Sequence, residues 1–174
     1  DAENDIVMPG FINTHTHVSM VAFRSLADDV PDRLSRYIFP LENKLVSRDL
    51  VYKGAVYGIL EMVSTGTTTF ADMYYFEDEV AKAAELIGVR GVLGETVIKN
   101  PVADAKEPYG GIEYAEKFIK QYKNSELVTP AFAPHAPYTV DEEHLKKVTE
   151  LSQKYNVPVL MHVAETENEV KQIK

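Results

Sequence analysis

Hydrophobic positions along this chain alternate between two patterns. Short, near-continuous apolar runs recur at residues 6–17, 67–74, 89–98, 128–135 and 157–163. Their β-branched and apolar content is what strands buried on both faces of a parallel sheet require. Between the runs lie amphipathic stretches with readable ends. Ser47 predicts a cap for a helix through Leu50, Ala55, Ile59 and Val63 that stops at Gly66. A second helix is expected from Phe76 to Ile87, stopped by Gly88, and a third from Ile112 to Tyr122. Thr139-Val140-Asp141-Glu142 has capping-box spacing ahead of Leu145, Val148 and Leu151, with Asn156 before Pro158 as the stop. Residues 99–111, with Pro101, Pro108, Gly110 and Gly111, read as a long surface loop.

Strand-like runs alternating with helices predict βα units and a parallel sheet, either open and doubly wound or closed as a barrel. No G-x-G-x-x-G turn follows the first run, so the dinucleotide-binding version lacks its signature. Histidines separate the two architectures. His15 and His17, His135 and His162 fall at the C-terminal ends of the first, fourth and fifth runs. Only a barrel gathers those ends around one mouth, where barrel active sites lie. The predicted fold is therefore α/β of the (β/α)8 TIM-barrel type, incomplete, with about five βα units across residues 1–174.

At 45% hydrophobic and 26% charged residues, the 174-residue chain has the makings of one sizeable globular core. A net charge of −9 argues against bulk electrostatic binding of nucleic acid or an anionic membrane, which leaves small molecules as the expected partners. With no cysteine there is no disulfide framework, thiolate metal site or thiol nucleophile. That, with no signal-peptide pattern, makes a reducing cytoplasm the expected location. No apolar run approaches the roughly 20 residues that span a bilayer.

The candidate chemistry begins at Asn13-Thr14-His15-Thr16-His17. Side chains at i and i+2 of a strand leave the same face, so both imidazoles can reach one metal ion. Four segments then carry a wider likeness: Met8-Pro9-Gly10-Phe11-Ile12-Asn13-Thr14-His15-Thr16-His17, Gly66-Thr67-Thr68-Thr69-Phe70-Ala71-Asp72-Met73-Tyr74, Ala133-Pro134-His135-Ala136-Pro137-Tyr138-Thr139, and His162-Val163-Ala164-Glu165-Thr166. In this order they resemble the amidohydrolase superfamily, in the branch of the 5'-methylthioadenosine/S-adenosylhomocysteine deaminases, to which s-triazine chlorohydrolases are also similar.

The resemblance implies roles for particular residues. His15 and His17 match the first-strand metal ligands and His162 the fifth-strand ligand. Glu165 matches the proton-transfer carboxylate, His135 a substrate-binding histidine, and Glu42, in Phe39-Pro40-Leu41-Glu42, the partner of ribose hydroxyls. It implies one divalent ion, with zinc favoured over iron or manganese. Residues 129–139 contain no lysine to bridge two ions, so a mononuclear centre is expected. The family's other ligands come from strands 6 and 8 of the barrel. The remaining strands and the small β-domain are therefore expected to lie outside this chain, leaving it inactive alone, poorly soluble, and open along a parallel edge at strand 5. The intact protein is expected to be a homo-oligomer.

Two departures bear on the substrate. Gly94-Glu95-Thr96 and Ile112 stand where the deaminases tend to carry arginines. A neutral nucleoside such as 5'-methylthioadenosine or 5'-deoxyadenosine is thereby favoured over S-adenosylhomocysteine. The alternatives are a chlorohydrolase or deaminase of an s-triazine or other ribose-free heterocycle, and a non-catalytic fragment that needs a complementary chain. Asp72 is expected to bond backbone or a neighbouring loop, His144 to be solvated on its helix, and Arg24, Arg36 and Arg90 to form surface salt bridges.

Overall fold

A computed structural model of the chain describes residues 3–173. Four parallel strands, β1 (Phe11–Thr16), β2 (Thr67–Tyr74), β3 (Arg90–Val97) and β4 (Val128–Pro134), lie in the order β1-β2-β3-β4. The register runs without shifts from Thr69 opposite Arg90 to Tyr74 opposite Glu95, and from Gly91 opposite Val128 to Val97 opposite Pro134. Helices α2 (Arg48–Ser64), α3 (Glu77–Ile87), α4 (Gly111–Tyr122) and α5 (Glu142–Tyr155) alternate with the strands, as the sequence periods predict. Between β1 and α2 the chain makes a 3-10 turn (Val18–Phe23), a π-helical turn (Leu34–Ile38) and the short α1 (Phe39–Leu45).

Local chemistry sets the boundaries. Ser47 caps α2 by accepting from the Leu50 N–H at 3.3 Å. Gly88 and Asn156 end α3 and α5 in the left-handed conformation, at φ 85° and 53°. The cap of α5 corrects the expectation. Asp141, not Thr139, accepts from the His144 N–H at 2.9 Å, while Thr139 folds back to bond Ala136 and His135.

Two apolar clusters hold the sheet to its helices. Val51, Ala55, Ile59, Phe70, Val80, Leu93 and Phe118 pack α2, α3 and α4 against the strands. Val97, Ile112, Ala115, Ile119, Phe132 and Val148 join α4 and α5 to β3 and β4. The segment 99–110 is a loop, but Val102 and Ala105 are buried in the first cluster, so it closes the core as well as covering it.

The first and fifth runs differ from expectation. The first strand starts only at Phe11, and Ile6, Val7, Met8, Phe11 and Ile12 are exposed, because β1 pairs with β2 alone. The fifth run is not a strand: it makes one parallel bridge, Phe132 to Val159. Its rung at Phe132 is complete, with the Phe132 N–H donating to Pro158 O at 3.2 Å and the Leu160 N–H to Phe132 O at 3.0 Å. The next rung needs an N–H at position 134, and the preceding one needs N–H groups at 130 and 158. All three are prolines, which have none. The segment still runs beside β4, and a short helix, α6 (Glu167–Ile173), follows it. No helix among the described residues is long and apolar enough to cross a membrane.

Candidate metal centre

Three consecutive residues at the end of β2 organise the site. The carboxylate of Asp72, 1% exposed, accepts from the Thr16 hydroxyl at 2.6 Å and the Val18 N–H at 2.7 Å, and so clamps the chain on either side of His17. The expectation that Asp72 bonds a neighbouring loop holds. Met73 offers its carbonyl oxygen to His17 Nδ1 at 2.6 Å. The Tyr74 hydroxyl donates to Glu42 Oε1 at 2.8 Å.

His17 and His162 have the same arrangement. His162 Nδ1 lies 3.1 Å from the His135 carbonyl oxygen. A carbonyl can only accept, so on both rings Nδ1 carries the proton, and in the neutral form of each ring Nε2 keeps its lone pair. Those two Nε2 atoms face each other at 3.2 Å. Two unprotonated nitrogens at that distance repel unless a cation sits between them. Tetrahedral zinc with bonds of about 2.05 Å separates its nitrogen ligands by about 3.3 Å, so the donor set fits such an ion. His15 completes the group: one ligand nitrogen from each of His15, His17 and His162 lies within 4.8 Å of the others. The histidines line an open cavity of about 290 Å³ with Asp72 and Met73.

A second cavity adjoins the first. It is lined by His17, Glu42, Tyr74, His135, His162 and Glu165 and bordered by apolar side chains that include Met20, Leu34, Ile38 and Phe39, with no arginine or lysine among the described residues. Glu42 is 5% exposed; burial raises its pKa, while the Tyr74 hydrogen bond and nearby His17 pull it back. His135 sits with its ring 5.2 Å from that of His162, its Nδ1 2.9 Å from the Thr139 hydroxyl oxygen. Burial, reinforced by His162, lowers its pKa to about 4, so it is neutral at physiological pH. Glu165 is exposed and accepts from the Tyr138 hydroxyl at 2.8 Å. All six residues anticipated from sequence are therefore gathered around two adjoining cavities.

Sequence reasoning missed the residues that hold these six in place. Glu169, 2% exposed, accepts from the N–H groups of Ala164 and Glu165 at 2.9 and 2.8 Å, and Thr166 accepts from the Glu169 N–H at 3.1 Å. Thr166-Glu167-Asn168-Glu169 is itself a capping-box pattern, a legible signal. Tyr138 and Tyr74 had no local signal. His144, expected to be solvated, stacks on Tyr109 at 3.5 Å and bonds Asp141 at 2.7 Å. Arg24 pairs with Glu61, whereas Arg90 bonds the Thr69 hydroxyl and Arg36 lies over Tyr37.

A parallel strand arc with three histidine nitrogens gathered at one end is the frame of a candidate metal site in an α/β fold. The chain belongs to the amidohydrolase family, whose sequence model matches residues 6–174. It is 46% identical over 168 residues to a 5-methylthioadenosine/S-adenosylhomocysteine deaminase of Thermodesulfovibrio yellowstonii, covering 95% of this chain and 38% of that protein. It is 43% identical over 178 residues to a 5'-deoxyadenosine deaminase of Methanocaldococcus jannaschii, covering 100% of this chain and 42% of that protein. In structure it resembles an adenosine deaminase from Xanthomonas campestris with bound zinc, at TM-score 0.91 and 35% identity, over 95% of this chain and 38% of that one. The four-stranded arc is thus part of a TIM barrel, and the chain spans about two fifths of the length of these relatives.

Proposed function

We propose that the full-length protein carrying this chain is a metal-dependent hydrolytic deaminase of an adenine nucleoside with a neutral 5' group, of the 5'-methylthioadenosine or 5'-deoxyadenosine type. The observation that carries the reading is the facing pair of Nε2 atoms on His17 and His162, each ring fixed by a carbonyl at Nδ1. His15, His17 and His162 hold one divalent ion, zinc by the fit of the spacing. When bound, it acts as a Lewis acid that brings a water's pKa toward neutrality and so supplies the nucleophile for replacing the amino group.

The chain's own groups do the rest. Glu165, held by the Tyr138 hydroxyl, takes a proton from the attacking water, delivers it to the purine ring nitrogen beside the reacting carbon and passes protons toward the departing ammonia. Neutral His135 orients the purine by hydrogen bonding. Buried Glu42 accepts from the ribose hydroxyls. Met20, Leu34, Ile38 and Phe39 give the same cavity an apolar wall, which suits a methylthio or methyl group.

The test is ammonia release by the purified, zinc-reconstituted full-length protein. 5'-Methylthioadenosine and 5'-deoxyadenosine should be deaminated with kcat/KM at least about tenfold above S-adenosylhomocysteine, since an unpaired carboxylate loses a charge-assisted hydrogen bond. One zinc per chain should be retained, and removal of that zinc should abolish turnover. Chloride release from a chlorotriazine without nucleoside deamination would instead establish the heterocycle reading.

A further inference from the structure

The geometry points to Tyr74 as a positioning residue that sets ribose selectivity by holding one carboxylate oxygen of Glu42, so that the acid presents its remaining acceptor capacity to the sugar. The inference rests on the assignment of Glu42 to the ribose hydroxyls.

Glu42 lies in α1, a seven-residue helix that no strand pairs with, so its backbone alone does not fix its carboxylate. Tyr74 is the last residue of β2, which is bonded on both sides within the sheet. The 2.8 Å bond from the Tyr74 hydroxyl to Glu42 Oε1 ties this short helix to the sheet. Tyr74 is 4% exposed and Tyr75 packs beside it with ring centroids 5.0 Å apart, so the phenol has little freedom to swing away.

The identity of the donor matters as much as its position. An arginine or lysine here would orient Glu42 but cancel its charge, and among the described residues neither lines this cavity. A phenol hydroxyl orients the carboxylate and leaves the negative charge in place. Charge-assisted hydrogen bonds are roughly twice as strong as neutral ones, so a substrate hydroxyl meets a strong acceptor in fixed geometry. Burial raises the Tyr74 pKa far above its ordinary value, which keeps the hydroxyl a donor throughout the working pH range. The positions of Asp72 and Met73 follow the same logic: the end of β2 aligns the turn around His17, the His17 ring and Glu42 with three successive residues.

The experiment compares kcat/KM for adenosine and for 2',3'-dideoxyadenosine in the zinc-loaded full-length protein and its Tyr74→Phe, Glu42→Gln and double variants. Tyr74→Phe should cut the preference for adenosine about tenfold, the size expected for one misaligned hydrogen bond to a charge. Its loss on the dideoxy substrate should be smaller than its loss on adenosine, and a circular-dichroism spectrum matching the parent's shows that the variant folds. The double variant should be no worse than Glu42→Gln, because the tyrosine acts only through the acid. A parent enzyme indifferent to the ribose hydroxyls would remove the assignment of Glu42. A parent whose preference falls in Glu42→Gln but survives in Tyr74→Phe would leave Glu42 standing and overturn the role of Tyr74. Equal losses on both substrates in Tyr74→Phe would also overturn it, by marking a general packing role.

Discussion

Replacing Glu77 by glutamine should change how stability depends on pH more than it changes stability itself. Glu77 is fully buried at the start of α3, and both of its carboxyl oxygens, with Asp72 Oδ2, lack a hydrogen-bond partner of normal geometry among the described residues. Burial and the charge of Asp72 push the Glu77 pKa well above the usual carboxylate range. Burial raises Asp72 too, but the Thr16 hydroxyl, His17 and the Val18 N–H pull it back. The proton the pair needs therefore sits on Glu77, whose O–H supplies the donor that Asp72 Oδ2 otherwise lacks. An unfolded glutamate titrates near 4.3. Because the folded value is higher, the contribution of Glu77 is complete below that pH and is lost as pH rises toward the folded pKa. One proton held by the folded state alone makes the slope about 1.4 kcal/mol per pH unit.

Glutamine keeps the shape, offers an N–H to the same oxygen and does not titrate. Urea unfolding of the full-length protein and its Glu77→Gln variant at pH 5, 6 and 7 measures the difference. Relative to the parent, the variant should gain stability as pH rises, at a slope of up to about 1.4 kcal/mol per pH unit. Parallel stability curves for the two proteins would refute the protonated pair.

The loop around Glu165 gives a second prediction. Glu169→Ala frees the N–H groups of Ala164 and Glu165, and should cost about 1 kcal/mol of stability and lower kcat about tenfold with KM nearly unchanged. Steady-state kinetics that show full kcat in a destabilised variant would separate the cap from the chemistry. The packing of α2 gives a third. A methyl group at Gly54 would stand 2.6 Å from the Ser19 carbonyl oxygen and 3.1 Å from Ser19 Cα. Gly54→Ala should therefore destabilise the protein by about 1–3 kcal/mol of overpacking, read as a lowered melting temperature, even though alanine is the better helix former. An unchanged or raised melting temperature would show that the 3-10 turn yields.

Much of the fold was written locally. The cap at Ser47, the stops at Gly88 and Asn156, and the extents of β2, β3, β4 and α4 follow from neighbouring residues, because caps and apolar periods act within a turn or two. The fifth run read as a strand on apolar content, and the signal against it was also in the chain. Pro130, Pro134 and Pro158 remove the donors of the rungs flanking Phe132, but knowing that those positions face one another requires the register. The cap at Asp141 was obscured for a related reason. Thr139 had the right spacing, yet its hydroxyl was claimed by Ala136 and His135.

By itself the sequence determined that histidines end three apolar runs and that two of them stand two positions apart; the shared strand face expected for that pair does not hold, because β1 stops at Thr16, one residue short of His17. Tertiary structure alone decided which nitrogen of each ring is free. The carbonyls that fix the His17 and His162 rings come from residues 56 and 27 positions away, brought alongside by parallel packing. The same holds for the Tyr74 hydroxyl and Glu42, 32 positions apart. Hydrogen bonds of that span leave no periodic trace in a chain, because each depends on how the sheet sets distant residues side by side.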